Sequence, residues 1–186
     1  MPDIHLMGIS GSLRSSSFNT ALLRAAQELM PEGMGMEIYD LAPIPMYDQD
    51  LVKDGKFPEP VEAMRRKMTE SDGLMIATPE YNFSVPGVLK NALDWASRPP
   101  DSPLEGKPAA IMGATSGNFG TVRAQMHLRQ VLLYSNTHTL RKPEVLVMNA
   151  AEKFDGNGRL VDETTRDFLR QMLEAYQEWI ERLRVK

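Results

Sequence analysis

The chain has 186 residues, a net charge of −4, three histidines and no cysteine. That length is enough for one domain with a sizeable core. The charge, with no lysine–arginine cluster, argues against nucleic acid, and the missing cysteines exclude disulfide and thiol chemistry. No apolar run approaches the length of a membrane span, no charged start precedes an apolar signal core, and three scattered histidines make a poor zinc set. No metal, no membrane and a cytoplasmic location are therefore expected.

In chain order, Ile4 to Ile9 is a near-continuous apolar run and reads as a buried parallel strand, with His5 packed or at an edge. Gly8 to Thr20 then leads into a helix expected from Asn19 to Met30, with Leu22, Ala26 and Leu29 on one face. The connecting loop is almost wholly small and hydroxyl-bearing. Gly8 and Gly11 let the backbone approach a ligand closely. A helix start offers unpaired N–H groups and a positive dipole end. Ser12, Ser17, Asn19 and Thr20 add neutral donors, and Arg14 is the one full charge, with a fork that matches phosphate oxygens. The loop lacks the Gly-Lys-Ser/Thr ending of a P-loop and the three-glycine spacing of the dinucleotide fingerprint. It fits a terminal monophosphate, such as that of flavin mononucleotide (FMN). Taken alone, it fits a polar turn with a Ser or Asn cap equally well.

Pro31, Gly33 and Gly35 end the first helix, and Met36 to Asp40 reads as a short strand. Leu41 to Pro60 has four prolines and no period; Leu41, Ile44, Met46 and Tyr47 are apolar enough to demand cover from the sheet edge or a subunit contact. Val61 to Ser71 reads as a helix, with methionines as core filler. Leu74 to Ala77 is a third strand, stopped by Pro79. Pro86 suits the first position of a helix over Val88 to Ser97. Ala109 to Ala114, Thr121 to Leu133 and Val145 to Met148 continue as strand, helix and strand. Asp155 to Gly158 is a turn, and a last helix runs from Asp162 to Arg184 with a core stripe of Phe168, Met172, Tyr176, Trp179, Ile180 and Leu183.

This alternation implies an α/β fold: one unit over 1–186, with a five-stranded parallel sheet and helices on both faces. Ligands bind such sheets at the carboxyl ends of the strands, where the strand order switches. Three loops leave those ends, residues 10–19, 78–85 and 115–120, and they form the predicted site.

The chain resembles the NADPH-dependent FMN reductase family, which includes quinone, chromate and azo-dye reductases. The resemblance lies in Gly11-Ser-Leu-Arg14, Ser17-Phe-Asn19, Pro79-Glu-Tyr-Asn82, Ser84-Val-Pro86-Gly, Leu89-Lys-Asn91-Ala and Asp94-Trp-Ala-Ser97-Arg98. It continues in His127-Leu-Arg-Gln130 and Lys142-Pro143-Glu144, in the same order along nearly the whole chain. It implies a flavodoxin-like fold with FMN as cofactor and NADPH or NADH as hydride donor. Ser12, Arg14, Ser17 and Asn19, with Thr20 beside them, would hold the phosphate. Pro79, Glu80, Tyr81 and Asn82 would line the ring and ribityl, and Ser116, Gly117 and Asn118 would supply backbone contacts. Many relatives carry a glycine pair where this chain has Asn118-Phe119, so Phe119 would narrow the mouth above the ring.

No cysteine or metal is needed, and no catalytic side chain is assigned. The resemblance also implies a homodimer or homotetramer, with Arg123 and Glu144 in segments like the family's interface region. The activity so expected is reduction of quinones, chromate, azo compounds or free flavin by a ping-pong hydride transfer to a small-molecule acceptor. The alternative is a flavodoxin-like electron carrier or FMN-binding sensor without turnover. A Ser/His hydrolase is disfavoured, since no Gly-x-Ser-x-Gly elbow is present.

Overall fold

The protein is described by a computed structural model over residues 3–184; the ends of the 1–186 unit lie outside the described residues. Its elements are β1 Ile4–Ser10, α1 Phe18–Glu28, β2 Met34–Tyr39, α2 Glu59–Glu70, β3 Gly73–Ala77, α3 Gly87–Ala96, β4 Pro108–Ala114 and α4 Val122–Tyr134. β5 His138–Thr139, β6 Val145–Val147, α5 Ala150–Lys153 and α6 Glu163–Arg184 complete the chain. The strands pair in parallel in the order β2-β1-β3-β4-β5, and β6 also pairs with β4. This is the flavodoxin-like sheet expected from the sequence, with its fifth position split. β5 lies beside the start of β4, at Pro108 and Ala109, and β6 beside its end, at Met112 to Ala114.

The apolar runs form inner strands because both of their faces are covered. Leu6, Met75, Ala110 and Met112 face the core beneath α1 and α6, while Met7, Ile9, Leu74, Ile76 and Ile111 face the core beneath α2, α3 and α4. Successive residues therefore alternate between two cores, with the period of two that a pleated strand imposes.

Several expectations are corrected. β5 and α5 were missed: two half-exposed residues and a four-residue turn of helix carry no periodic signal. Pro86 is the N-cap of α3, and the first helical residue is Gly87. On α6, Met172, Tyr176 and Ile180 are buried as expected, but Phe168 is 51% exposed. The buried stripe runs through Thr165, Leu169 and Leu173 instead, one position round the helix from Phe168. The Leu41–Tyr47 segment is covered within the chain. Leu41 and Ile44 are buried, Tyr47 packs edge-on against Trp95 with centroids 4.7 Å apart, and Trp95 Nε1 donates to the Pro45 carbonyl at 2.8 Å. Of the four residues Leu41, Ile44, Met46 and Tyr47, Met46 is the exposed one, at 74%. Trp95 is thus a core residue, and Lys90–Asp94 is a surface ion pair at 2.7 Å.

Candidate active site

Strand order reverses beside β1: the chain goes out to β2 on one side and returns to β3 on the other. The loops after β1, β3 and β4 leave adjacent strands at their carboxyl ends, so the three predicted segments form one edge. Gly11 is what lets the first two nest. A Cβ there would stand 3.0 Å from Pro79 Cδ and 3.3 Å from Leu89 Cδ2, and its N–H donates to the Ala77 carbonyl at 2.8 Å.

Within the first loop, Ser17 caps α1, its Oγ accepting from the Asn19 and Thr20 N–H groups at 3.2 and 3.4 Å. Ser12 Oγ accepts from Arg14 N–H, and Thr20 Oγ1 donates to Ser10 Oγ at 2.8 Å. Arg14 is exposed, with one 3.3 Å bond to Ser16 Oγ. It flanks an open cleft of about 470 Å³ whose other walls include Arg24 and the Asp155–Gly158 turn. Asn19 and Thr20, expected beside the ligand, also make contacts within the chain. Asn19 is 3% exposed, and its amide both donates to the Ala114 carbonyl and accepts from the Ala114 N–H, each at 2.9 Å. It fastens the start of α1 to the end of β4; Thr20 likewise ties helix to strand. Asn19→Ala would leave both Ala114 groups dry. A loss of about 2–4 kcal/mol in urea unfolding of the apoprotein is expected, at about 1–3 kcal/mol per unsatisfied group; a loss under about 1 kcal/mol would contradict this role.

In the second loop, Pro79 is buried and Tyr81 and Asn82 are exposed. Tyr81 and Ser84 bond reciprocally through their backbones around Asn82 and Phe83, whose φ values are +51° and +64°. This is the two-residue hairpin turn with both central residues left-handed. Glu80, expected to line the ring and ribityl, makes three contacts within the chain. Its Oε2 accepts from the Arg123 and Ala124 N–H groups at the start of α4, at 3.0 and 3.2 Å, and its Oε1 pairs with Arg123 Nη1 at 3.0 Å. The carboxylate thus sits at a helix N-terminus, where the dipole favours it.

The third loop is shaped by glycines. A Cβ on Gly113 would fall 1.9 Å from Thr121 Oγ1, and one on Gly120 (φ +54°) 2.8 Å from Leu146 Cβ. Ser116, Gly117 and Asn118 are exposed, and Gly117 N–H reaches Thr115 Oγ1. Arg123 joins this loop to the second, its guanidinium carbon 4.2 Å from the Phe83 ring centre and 4.4 Å from that of Phe119. That role carries no local sequence signal, because the partners lie in separate segments.

What the edge presents is a set of free donors. The N–H groups of Leu13, Ser15, Ser16, Phe18, Glu80, Asn82, Ser116 and Asn118 make no hydrogen bond within the described residues. Backbone N–H groups, hydroxyls and one exposed arginine suit a phosphate at one end and the carbonyl edge of a polar ring at the other. Among the described residues, no cluster of His, Asp or Glu has metal-binding geometry, and no helix is long and apolar enough to cross a membrane.

Fold and site together define a doubly wound α/β protein with a loop rich in hydroxyls and unpartnered N–H groups at its switch point. The chain belongs to the NADPH-dependent FMN reductase family, whose sequence model matches residues 4–152; it is an oxidoreductase of the class that uses FMN and a reduced nicotinamide. It is 53% identical to an NAD(P)H-dependent FMN reductase of Pseudomonas aeruginosa over 98% of both chains. It is 47% identical to an NADPH:quinone oxidoreductase of Arabidopsis thaliana, over 100% of this chain and 96% of that one. The solved structure of FerB, a flavoenzyme NAD(P)H:(acceptor) oxidoreductase from Paracoccus denitrificans, superposes with a TM-score of 0.88. It covers 96% of this chain and 98% of its own at 35% identity.

Proposed function

We propose that the strand-end edge holds one FMN and that the protein transfers electrons from NAD(P)H to small flat acceptors. Quinones lead that list, with chromate, azo compounds and free flavin as further substrates. The observation that carries this reading is the row of unpartnered N–H groups on three loops that meet at one edge. Ser12, Arg14 and Ser17, with the N–H groups of Ser15, Ser16 and Phe18, would hold the phosphate. Pro79, Tyr81 and Asn82 would flank the ring and ribityl, and the Ser116–Asn118 backbone would face the polar edge of the ring. Asn19, Thr20 and Glu80 hold these loops in place. FMN, when bound, supplies hydride acceptance and electron delivery; the chain supplies binding, orientation and fixed N–H dipoles where negative charge develops. No side-chain general acid is assigned.

Tyr81, Phe83 and Phe119 would bound the space over the ring and leave room for one flat partner at a time. Donor and acceptor then take turns, so steady-state rates with NADPH and a quinone are expected to give parallel double-reciprocal lines. Intersecting lines would mean two separate places and would overturn the shared one.

Self-association belongs to the same reading. On α4, Met126, Leu133 and Tyr134 are exposed, the last two at 77% and 80%, and apolar patches of this kind mark protein contacts. Arg123, at the start of α4, and Glu144 lie in segments that resemble the family's interface region. A dimer or tetramer is expected in sedimentation at micromolar concentration; a monomer throughout that range would refute it. As one flavodoxin-like unit drawing on NAD(P)H, the protein would work in the cytoplasm, where that donor is made.

A further inference from the structure

Arg123 is held from four directions. Glu80 Oε1 pairs with its Nη1 at 3.0 Å, Glu80 Oε2 accepts from its backbone N–H, and the rings of Phe83 and Phe119 lie 4.2 and 4.4 Å from its guanidinium carbon. An exposed ion pair on its own contributes little. Here the Glu80 side chain is only 12% exposed, and the pair is combined with two stacked aromatics. Phe83 adds an independent sign: it sits at φ +64°, a conformation that a residue with a Cβ adopts at a cost. A glycine or asparagine would turn the chain there more easily, but neither would place a ring on the guanidinium. Both rings are otherwise exposed, at 65% and 61%.

We propose that Arg123, gripped by Glu80 and stacked between Phe83 and Phe119, is a latch that locks the second loop to the third and sets the width of the mouth, so that narrow flat acceptors are favoured over wide ones. It rests on the reading of this edge as an FMN and acceptor site. Arg123 is a positioning residue: it acts through the two loops and touches neither cofactor nor acceptor. The delocalised, planar guanidinium is essential, because lysine has the charge for Glu80 but no flat face to stack on two rings.

The test uses Arg123→Lys, with Arg123→Met as a second variant should the first fold poorly. In the apoprotein, hydrogen exchange at the bonded N–H groups of Tyr81 and Ser84 in the second loop and of Gly117 and Val122 in and beside the third is expected to quicken together, by about fivefold or more, in either variant. In the FMN-loaded protein, kcat/KM for the three-ring phenanthrenequinone relative to one-ring benzoquinone is expected to rise about tenfold, through KM, with FMN affinity unchanged. Exchange that stays at the wild-type rate in both loops, or an unchanged acceptor ratio, would overturn the latch. Failure of the wild-type protein to bind FMN would instead sink the functional reading, and exchange in the apoprotein would still decide whether Arg123 joins the loops.

Discussion

Arg65→Met is expected to cost about 3–5 kcal/mol of folding stability, the largest single-residue loss foreseen outside the strands. Arg65 lies on α2 and is buried, yet it faces no carboxylate at bonding distance. Its Nη1 donates to the carbonyls of Trp95, Ala96 and Arg98 at 2.8–3.0 Å, and its Nη2 to those of Pro100 and Asp101 at 2.6 and 3.2 Å. Phe57 covers the guanidinium at 4.4 Å. At the end of α3 the Trp95 and Ala96 carbonyls also accept from Arg98 N–H and Ser102 Oγ, while among the described residues those of Arg98, Pro100 and Asp101 have no other partner. Burial pulls the Arg65 pKa down, against the nearby Glu62 and Asp101 carboxylates, but arginine stays charged throughout the working range. Methionine keeps most of the stem and removes every donor. Two or three dry carbonyls at about 1–3 kcal/mol each give the estimate, and Tm should fall by roughly 8–15 °C. Arg65→Lys should recover only part, since one ammonium cannot fork between two groups of carbonyls. A loss below about 1 kcal/mol for Arg65→Met would show that water satisfies these carbonyls unaided. The consequence reaches the site, because α3 begins where the second loop ends.

Arg14→Ala is expected to weaken FMN binding by roughly ten- to a hundredfold while riboflavin affinity changes little. Arg14 is the one full charge in a loop of hydroxyls and free N–H groups, and among the described residues its side chain's only partner is Ser16 Oγ at 3.3 Å. It is free to meet a dianion. A charge-assisted bond contributes about 1.5–3 kcal/mol, which converts to that range of affinity. Titrating the apoprotein with both flavins separates the phosphate from the ring. Equal losses for FMN and riboflavin would remove Arg14 from the phosphate and leave the loop as an ordinary cap.

The sequence made the inner strands and their loops legible for a physical reason. β1, β3 and β4 are apolar on both faces, so their runs are continuous and the small-residue loops after them stand out. What it hid were pairings across distance. Asn19 and Glu80 were recognisable as polar groups in the site loops, but their partners Ala114 and Arg123 lie 95 and 43 residues away. Nothing local says that an amide or a carboxylate is already taken. Phe168 failed differently: a helix stripe several residues long can be drawn through neighbouring positions, and packing alone chose Leu169. Loop 41–47 shows the reverse case, where the apolar character was read correctly and its cover proved to be Trp95 and the α3 face of the same chain.

The central claim is that these three loops seat one FMN for reduction by a nicotinamide without help from the acceptor. Anaerobic mixing of the FMN-loaded protein with NADPH, followed by visible absorbance, tests it directly. Full and rapid bleaching of the bound flavin with no acceptor present is the expected result. Flavin that stays oxidised with NADPH or NADH until a quinone is added, or that is never reduced by either, would contradict the account and favour an electron carrier or sensor.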